Sequence, residues 1–581
     1  MQRSTPARAL ALALLLVLPA CGKSKPPVPT AGAGNAAFDT LAAATLEDYY
    51  RRNPTTATYL GIHKYDGQLE DLSQAAIAAE AQALHGFRDR TAAIDPATLT
   101  LDRQLDREQL LGAIDSQLLT NEVIRMWARD PDRYSSNLTR TAFIMIKRSF
   151  APPEERMRLL IARESRMPAV LAAARANLDN PPLISTQIAI DQMDGNIDFF
   201  KTVVPAGFAA VRDTALLAQF KTSNQAVVEA LGEYKKWLQS DLLPRAKGDF
   251  AVGAGTYLKK LAADEMLQVP LDQLLVIAQA DLKRNQDAFL AITRQIDPNK
   301  SATEVLAALQ ADHPPADKLL ETTQGTLDAL RQFISDKNIV TIPVSAPARV
   351  EETPPFMRAT TSASMDTPGP FETQAPEAFY NMTLPDPRWP AAEKTEFMKQ
   401  WYYAAISNVS VHEVYPGHYL QFLYAKTFPS DVRKVYGAAT NSEGWAHYAE
   451  QMVLDEGFHA EDPRYRLAQL QDALLRNVRF IVGIKMHTQG MTVEEAKHLF
   501  ETDGYQPGPV ALSEAKRGTG DPTYGYYTMG KLMILKLRDD YKAKLGPEYS
   551  LQKFHDAFIA LGPLPLPLIR QAMLGETGQL F

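Results

Sequence analysis

The sequence predicts a mainly α-helical body with one small β or irregular, proline-rich insert. Three observations predict it. Apolar residues recur at i, i+3, i+4 and i+7 along most of the chain. The same stretches are rich in Ala, Leu, Gln, Arg and Glu, which favour helix. Prolines concentrate in one place: 10 of the 39 fall within residues 343–390. There the missing N–H and the ring clash exclude most helix.

The chain opens as an address. Arg3 and Arg8 precede the twelve-residue apolar run Ala9–Ala20 (ALALALLLVLPA). Crossing a bilayer takes about 20 residues, so residues 1–20 read as a secretory signal. The only cysteine, Cys21, follows directly in Leu18-Pro19-Ala20-Cys21. This resembles a bacterial lipobox, whose cysteine carries the lipid and becomes the new N-terminus. Pro19 departs from the usual residue there, and the alternative is an ordinary signal with an incidental cysteine. Residues 21–37 are rich in Pro and Gly and read as a flexible tether. The expectation is a soluble body tied to a membrane by lipid, in the cell envelope and facing the periplasm. Gly22 stands where an Asp would mark inner-membrane retention, which favours the outer membrane by analogy.

Composition sets further limits. Of 581 residues, 45% are apolar and 22% charged, enough for a sizeable core and incompatible with wholesale disorder. A net charge of −7, from 61 basic and 68 acidic residues, argues against nucleic acid as a partner. One cysteine excludes a disulfide framework and a thiolate zinc site.

Residues 38–337 carry the helical period, as in FDTLAAATLEDYYRR (38–52) and LDQLLVIAQADLKRNQDAFLAI (271–292), without a fixed repeat. Residues 338–390 form the insert. Short strands are expected at Asn338–Val344 (NIVTIPV), Pro355–Ala359 (PFMRA) and Ala378–Leu384 (AFYNMTL). Residues 391–581 return to helix and carry the chemistry: seven of the ten histidines lie beyond residue 400.

Two motifs stand out there. In Val411-His412-Glu413-Val414-Tyr415-Pro416-Gly417-His418 a His-Glu pair is followed by a second His, the grammar of zinc hydrolases. The histidines are spaced i and i+6. On a regular helix they diverge by roughly 120°, against roughly 40° for i and i+4. Pro416 and Gly417 are residues that bulge or break a helix, and either would bring His418 back toward His412. In Asn441-Ser442-Glu443-Gly444-Trp445-Ala446-His447-Tyr448-Ala449-Glu450, Asn441 or Ser442 is a candidate cap. Glu443, His447 and Glu450 share one helical face, suiting a metal ligand with supporting groups, or else a solvated face. A Glu on a second helix is what a two-His, one-Glu zinc site requires.

Together the motifs resemble a bacterial family, domain of unknown function 885, which carries His-Glu-x-x-Pro-Gly-His-His-x-Gln and Glu-Gly-Trp-Ala-x-Tyr-x-Glu. Here these read HEVYPGHYLQ (412–421) and EGWAHYAE (443–450). Weaker likenesses are Asn53–Gly61 (NPTTATYLG), Tyr527 to Gly530, and Leu537-Arg538. The family is similar to gluzincin-type metallopeptidases of largely helical fold. The resemblance implies Zn2+ as cofactor, His412, His418 and Glu443 as its ligands, and Glu413 as general base. It also implies a strand near the metal helix that pairs with a peptide substrate. Three departures matter. Tyr419 replaces a second His, His447 replaces a Leu, and Gly483 replaces an Asp in the Arg476–His487 stretch.

Accessory candidates follow. Tyr526 and Tyr527 are candidates for holding an oxyanion, with aromatic packing as the alternative. Arg476, Arg479 and Arg517 suit a substrate carboxylate or structural acids, the latter favoured for Arg476. His487 lines the site or is a satisfied core histidine. Two main expectations result: a lipid-anchored zinc hydrolase cleaving short peptides, or a degenerate, non-catalytic peptidase kept for binding or assembly. A hydrolase of other amide or ester bonds is a third.

Overall fold

The structure, a computed structural model, describes residues 1–2, 30–343, 347–354, 358 and 361–581. The apolar signal run and Cys21 lie outside them. The structure is 71% helical, with three short strands among the described residues. No helix among the described residues is long and apolar enough to cross a membrane.

The first long helix, Asn35–Arg52, starts inside the stretch expected to be tether. Its buried face (Phe38, Ala42, Leu46, Tyr50) forms one apolar cluster with Leu84, Phe87, Leu110 and Ile114. A second cluster runs from Leu69 to Leu242. The third and largest joins Tyr257, Leu274, Phe289 and Leu327 to Trp445, Phe480, Ile534 and Phe558. Each such side chain, fully buried, contributes about 1.5–3 kcal/mol relative to exposure. Residues 254–336 thus pack with the C-terminal helices, so the compositional break near 337 is not a break in the core. The Leu271–Ile296 helix lies along Pro463–Thr488, and Ala439–Asp455 lies along Tyr526–Leu545.

The proline-rich segment holds one small sheet. β1 (Arg349–Glu352) pairs in parallel with β3 (Phe379–Met382), and β2 (Ala363–Asp366) pairs with β3 antiparallel, Ala363 opposite Met382. The order β1-β3-β2 leaves β2 at an edge. Of the expected strands, Ala378–Leu384 contains β3. Asn338–Pro343 is not a strand. Asn338 adopts a left-handed φ of 52°, and the Ile339 N–H returns to Ile334 O at 3.1 Å, which closes the preceding helix. The Thr341 N–H is then taken by Asp556 Oδ1 at 2.8 Å. Within Pro355–Ala359 only Arg358 is described, and it lies in a turn.

Candidate metal centre

The i, i+6 spacing is resolved by a break. One helix, Tyr403–Glu413, ends at the general-base candidate, and the next, His418–Ala425, begins at the second histidine. Between them the Tyr415–Pro416 peptide is cis. Trp445 Nε1–H donates to Pro416 O at 2.7 Å and pins the turn to the Glu443 helix. Gly417 is required by close approach: a Cβ there would stand 1.8 Å from His412 O. The turn brings the two imidazole rings to 4.8 Å, centroid to centroid.

Glu443 comes from the Ala439–Asp455 helix, whose start is fixed from outside. Asn441 and Ser442 do not cap it, because both lie inside it. Instead the buried Glu265 carboxylate accepts the N–H groups of Ala439 and Thr440 at 3.0 and 3.1 Å. Burial pushes the Glu265 pKa up to about 7, against the pull of these donors. Further along, a Cβ on Gly444 would stand 2.5 Å from Gly530 Cα. The two helices therefore touch backbone to backbone, which sets Tyr527, one turn before Gly530, beside the site. Tyr448, on the same helix, takes a bond from Arg538 at 3.4 Å.

One ligand atom from each of His412, His418 and Glu443 lies within 4.8 Å of the other two. Glu443 Oε2 stands 3.4 Å from His412 Nε2 and 3.3 Å from His418 Nε2. Yet this oxygen is buried and makes no hydrogen bond. Donors about 2.0–2.2 Å from a tetrahedral ion stand about 3.3–3.5 Å apart. The two measured separations match that spacing better than a charge-assisted hydrogen bond of about 2.7–2.9 Å. The donor set, two imidazoles and a carboxylate, suits zinc.

A supporting layer lies behind it. His412 Nδ1 faces Glu450 Oε1 at 2.7 Å, and Arg476 holds the same oxygen at 2.9 Å. His447 Nδ1 lies 3.2 Å from Glu450 Oε2. Burial disfavours an imidazolium at His412, but Glu443 and Glu450 outweigh it and raise its pKa to about 10. Glu450 is held far below the usual carboxylate range: Arg476 and His447 overcome its burial. At His447 burial dominates, reinforced by Lys531, and the pKa falls to about 3. Glu443 and Glu450 thus flank His412 with two carboxylates, and its raised pKa is the imidazole's answer to their charge.

The triad opens into a pocket of about 640 Å³. Glu413 lines it, and Glu413 Oε2 accepts the N–H of Met365 on β2 at 3.1 Å. Tyr527 lines it too, and its hydroxyl accepts from Arg517 at 3.3 Å. Tyr526 does not. Its hydroxyl donates to Asp521 at 2.9 Å and borders a different cavity. Arg479 is committed, gripping Glu514 at 2.6 and 2.7 Å in a buried bidentate pair. Arg517 reaches the site only through Tyr527. His487 donates from Nε2 to Gly518 O at 2.7 Å, leaves its buried Nδ1 unpartnered and lines another cavity, away from the triad. Gly483 packs against the Pro522 carbonyl, 2.7 Å from where a Cβ would stand, so this backbone has no room for the Asp.

Sequence reasoning missed Tyr59 and Leu60, which wall the pocket from the Pro54–Leu60 helix. They lie within the weak opening motif, the only signal available. Glu265 gave no signal.

Fold and site together define a mainly helical protein with two histidines and a glutamate converging in a pocket beside an edge strand. The chain belongs to the family described as bacterial protein of unknown function (DUF885), which matches residues 54–573. Its structure is similar to that of a "putative lipoprotein of unknown function" from Shewanella oneidensis. That protein is 27% identical, with a TM-score of 0.76 over 92% of this chain and 99% of the other. It also resembles the "putative lipoprotein" from Colwellia psychrerythraea, 18% identical, with a TM-score of 0.79 over 93% and 98% of the two chains, a likeness of fold alone. No curated protein matches the chain.

Proposed function

We propose that the protein is a zinc-dependent hydrolase of the cell envelope, a metallopeptidase of the gluzincin type acting on short peptides. One observation carries this reading: the ligand atoms of His412, His418 and Glu443 converge within 4.8 Å, and the Glu413 carboxylate shares their pocket. Zinc bound there would supply Lewis acidity to a carbonyl and to water. The rest falls to the chain's own residues. Glu413, oriented by the Met365 N–H, takes a proton from the attacking water. It returns that proton to the leaving amine as the C–N bond breaks. Tyr527, which accepts from Arg517, keeps its own O–H free to donate to the developing oxyanion. β2, at the edge of the sheet beside the pocket, is where an extended peptide would be added as a strand, although its Met365 N–H already serves Glu413.

The i, i+6 spacing and the Gly483 that replaces an Asp speak for the degenerate alternative; against the first, the turn at Gly417 brings the two imidazole rings to 4.8 Å. The lipoprotein names of the two structural relatives and the Leu18–Cys21 motif support a lipid-anchored, periplasm-facing location. The test is cleavage of a short-peptide mixture by purified protein, before and after zinc is stripped and restored. The reading requires zinc-dependent cleavage that Glu413→Gln abolishes. No cleavage by zinc-loaded protein would leave the degenerate reading.

A further inference from the structure

A smaller cavity of about 310 Å³ adjoins the metal pocket, sharing a wall of Tyr59, Ser364, Met365, Pro368 and Gly369. Its far side is one stripe of the Asp132–Lys147 helix: Arg140, Phe143, Ile144 and Lys147, at i, i+3, i+4 and i+7, continued by Arg148. Two of these cations are already committed, Lys147 to Glu351 and Arg148 to Asp366. The other acid in the lining, Glu372, is held by His63 at 3.1 Å. Arg140 differs. Its guanidinium lies 5.1 Å over the Tyr59 ring, and among the described residues it forms no ion pair. The floor lacks donors instead. Asn381 is wholly buried, and neither its Oδ1 nor Asp366 Oδ2 has a hydrogen-bond partner.

A free guanidinium and two buried, unmatched acceptors between apolar walls complement a chain end that carries an anion and N–H donors. An ammonium end would be set beside Arg140, the one cation here that no acid balances, and like charges oppose it. Both compartments touch the same strand: Met365 is tied to Glu413, and its neighbour Asp366 lines the smaller chamber. We infer that this chamber receives the C-terminal residue of a short peptide, with Arg140 as the partner of its free carboxylate. The substrate class is then short peptides with an unblocked C-terminus cleaved near that end, which rests on the peptidase reading above.

The test uses alanyl-alanyl-leucine as free acid, C-terminal amide and N-acetylated acid. Binding to zinc-loaded Glu413→Gln protein is measured by calorimetry, and kcat/KM is measured with wild type. Amidation should weaken binding about tenfold or more and lower kcat/KM in step, and acetylation should matter little. Arg140→Ala should bring the acid-to-amide ratio toward one, and Arg140→Lys should restore part of it. Equal binding of acid and amide would overturn the inference, as would a loss on acetylation in place of amidation. An Arg140-dependent acid preference without turnover by wild type would sink the peptidase reading and keep the chamber. Turnover without the preference would do the reverse, and no binding by any probe would end both.

Discussion

His412 Nδ1 stands 2.7 Å from Glu450 Oε1, and this contact decides what the opposite nitrogen does. With a proton held on Nδ1 and donated in a hydrogen bond to the carboxylate, a cation binding at Nε2 would displace only the proton there and meet its lone pair. Arg476 keeps Glu450 ionised for that purpose. Glu450→Gln removes no ligand atom, yet zinc affinity should fall about 10–100-fold. Competition against a calibrated chelator measures it. Unchanged affinity would make Glu450 a structural acid only.

Glu413 is not among the three converging ligands. Glu413→Gln should therefore keep zinc content near wild type and lower turnover about 10²–10⁴-fold, the range of general-base losses. Parallel loss of metal and turnover would contradict the division of labour.

Glu443 supplies the only carboxylate oxygen in the triad. Glu443→Ala should sharply reduce bound zinc in purified protein while far-ultraviolet dichroism stays helical. Full occupancy in the variant would take Glu443 out of the site.

His447 gives a pH signature. Its folded pKa of about 3 lies below the ordinary value near 6.5, chiefly through burial. The unfolded chain therefore takes up a proton that the folded chain refuses. The stability this residue allows is complete above about pH 6.5 and drains away as pH falls toward 3. Its Nε2 is buried without a partner as well. His447→Leu should thus gain on wild type as pH drops, by on the order of 2 kcal/mol between pH 7.5 and 5. Melting curves of both proteins at the two pH values measure this, and a margin independent of pH would refute it.

Much of this site is legible in a line of letters. The motifs name His412, Glu413, His418, Glu443 and Glu450 because ligands on adjacent turns or on one helical face leave a periodic trace. Pro416 and Gly417 announce a disturbance, though not whether the helix bulges or stops. Long-range partners leave no such trace. Arg479 reads as a free guanidinium until Glu514, 35 residues on, takes it. Glu265 caps a helix 174 residues away. Strand β2 (ASMD) lacks the β-branched and aromatic residues that mark strands, and it exists because β3 offers a partner. Tyr59 and Tyr526 illustrate both errors: one enters the pocket from across the chain, and the other turns away to Asp521.

The most direct measurement is an anomalous-difference map at the zinc edge from crystals grown with equimolar zinc. A zinc site in this triad gives one peak per chain, about 2.0–2.2 Å from His412 Nε2, His418 Nε2 and a Glu443 oxygen. A zinc-saturated crystal with no density there, or with its only peak elsewhere, would contradict it.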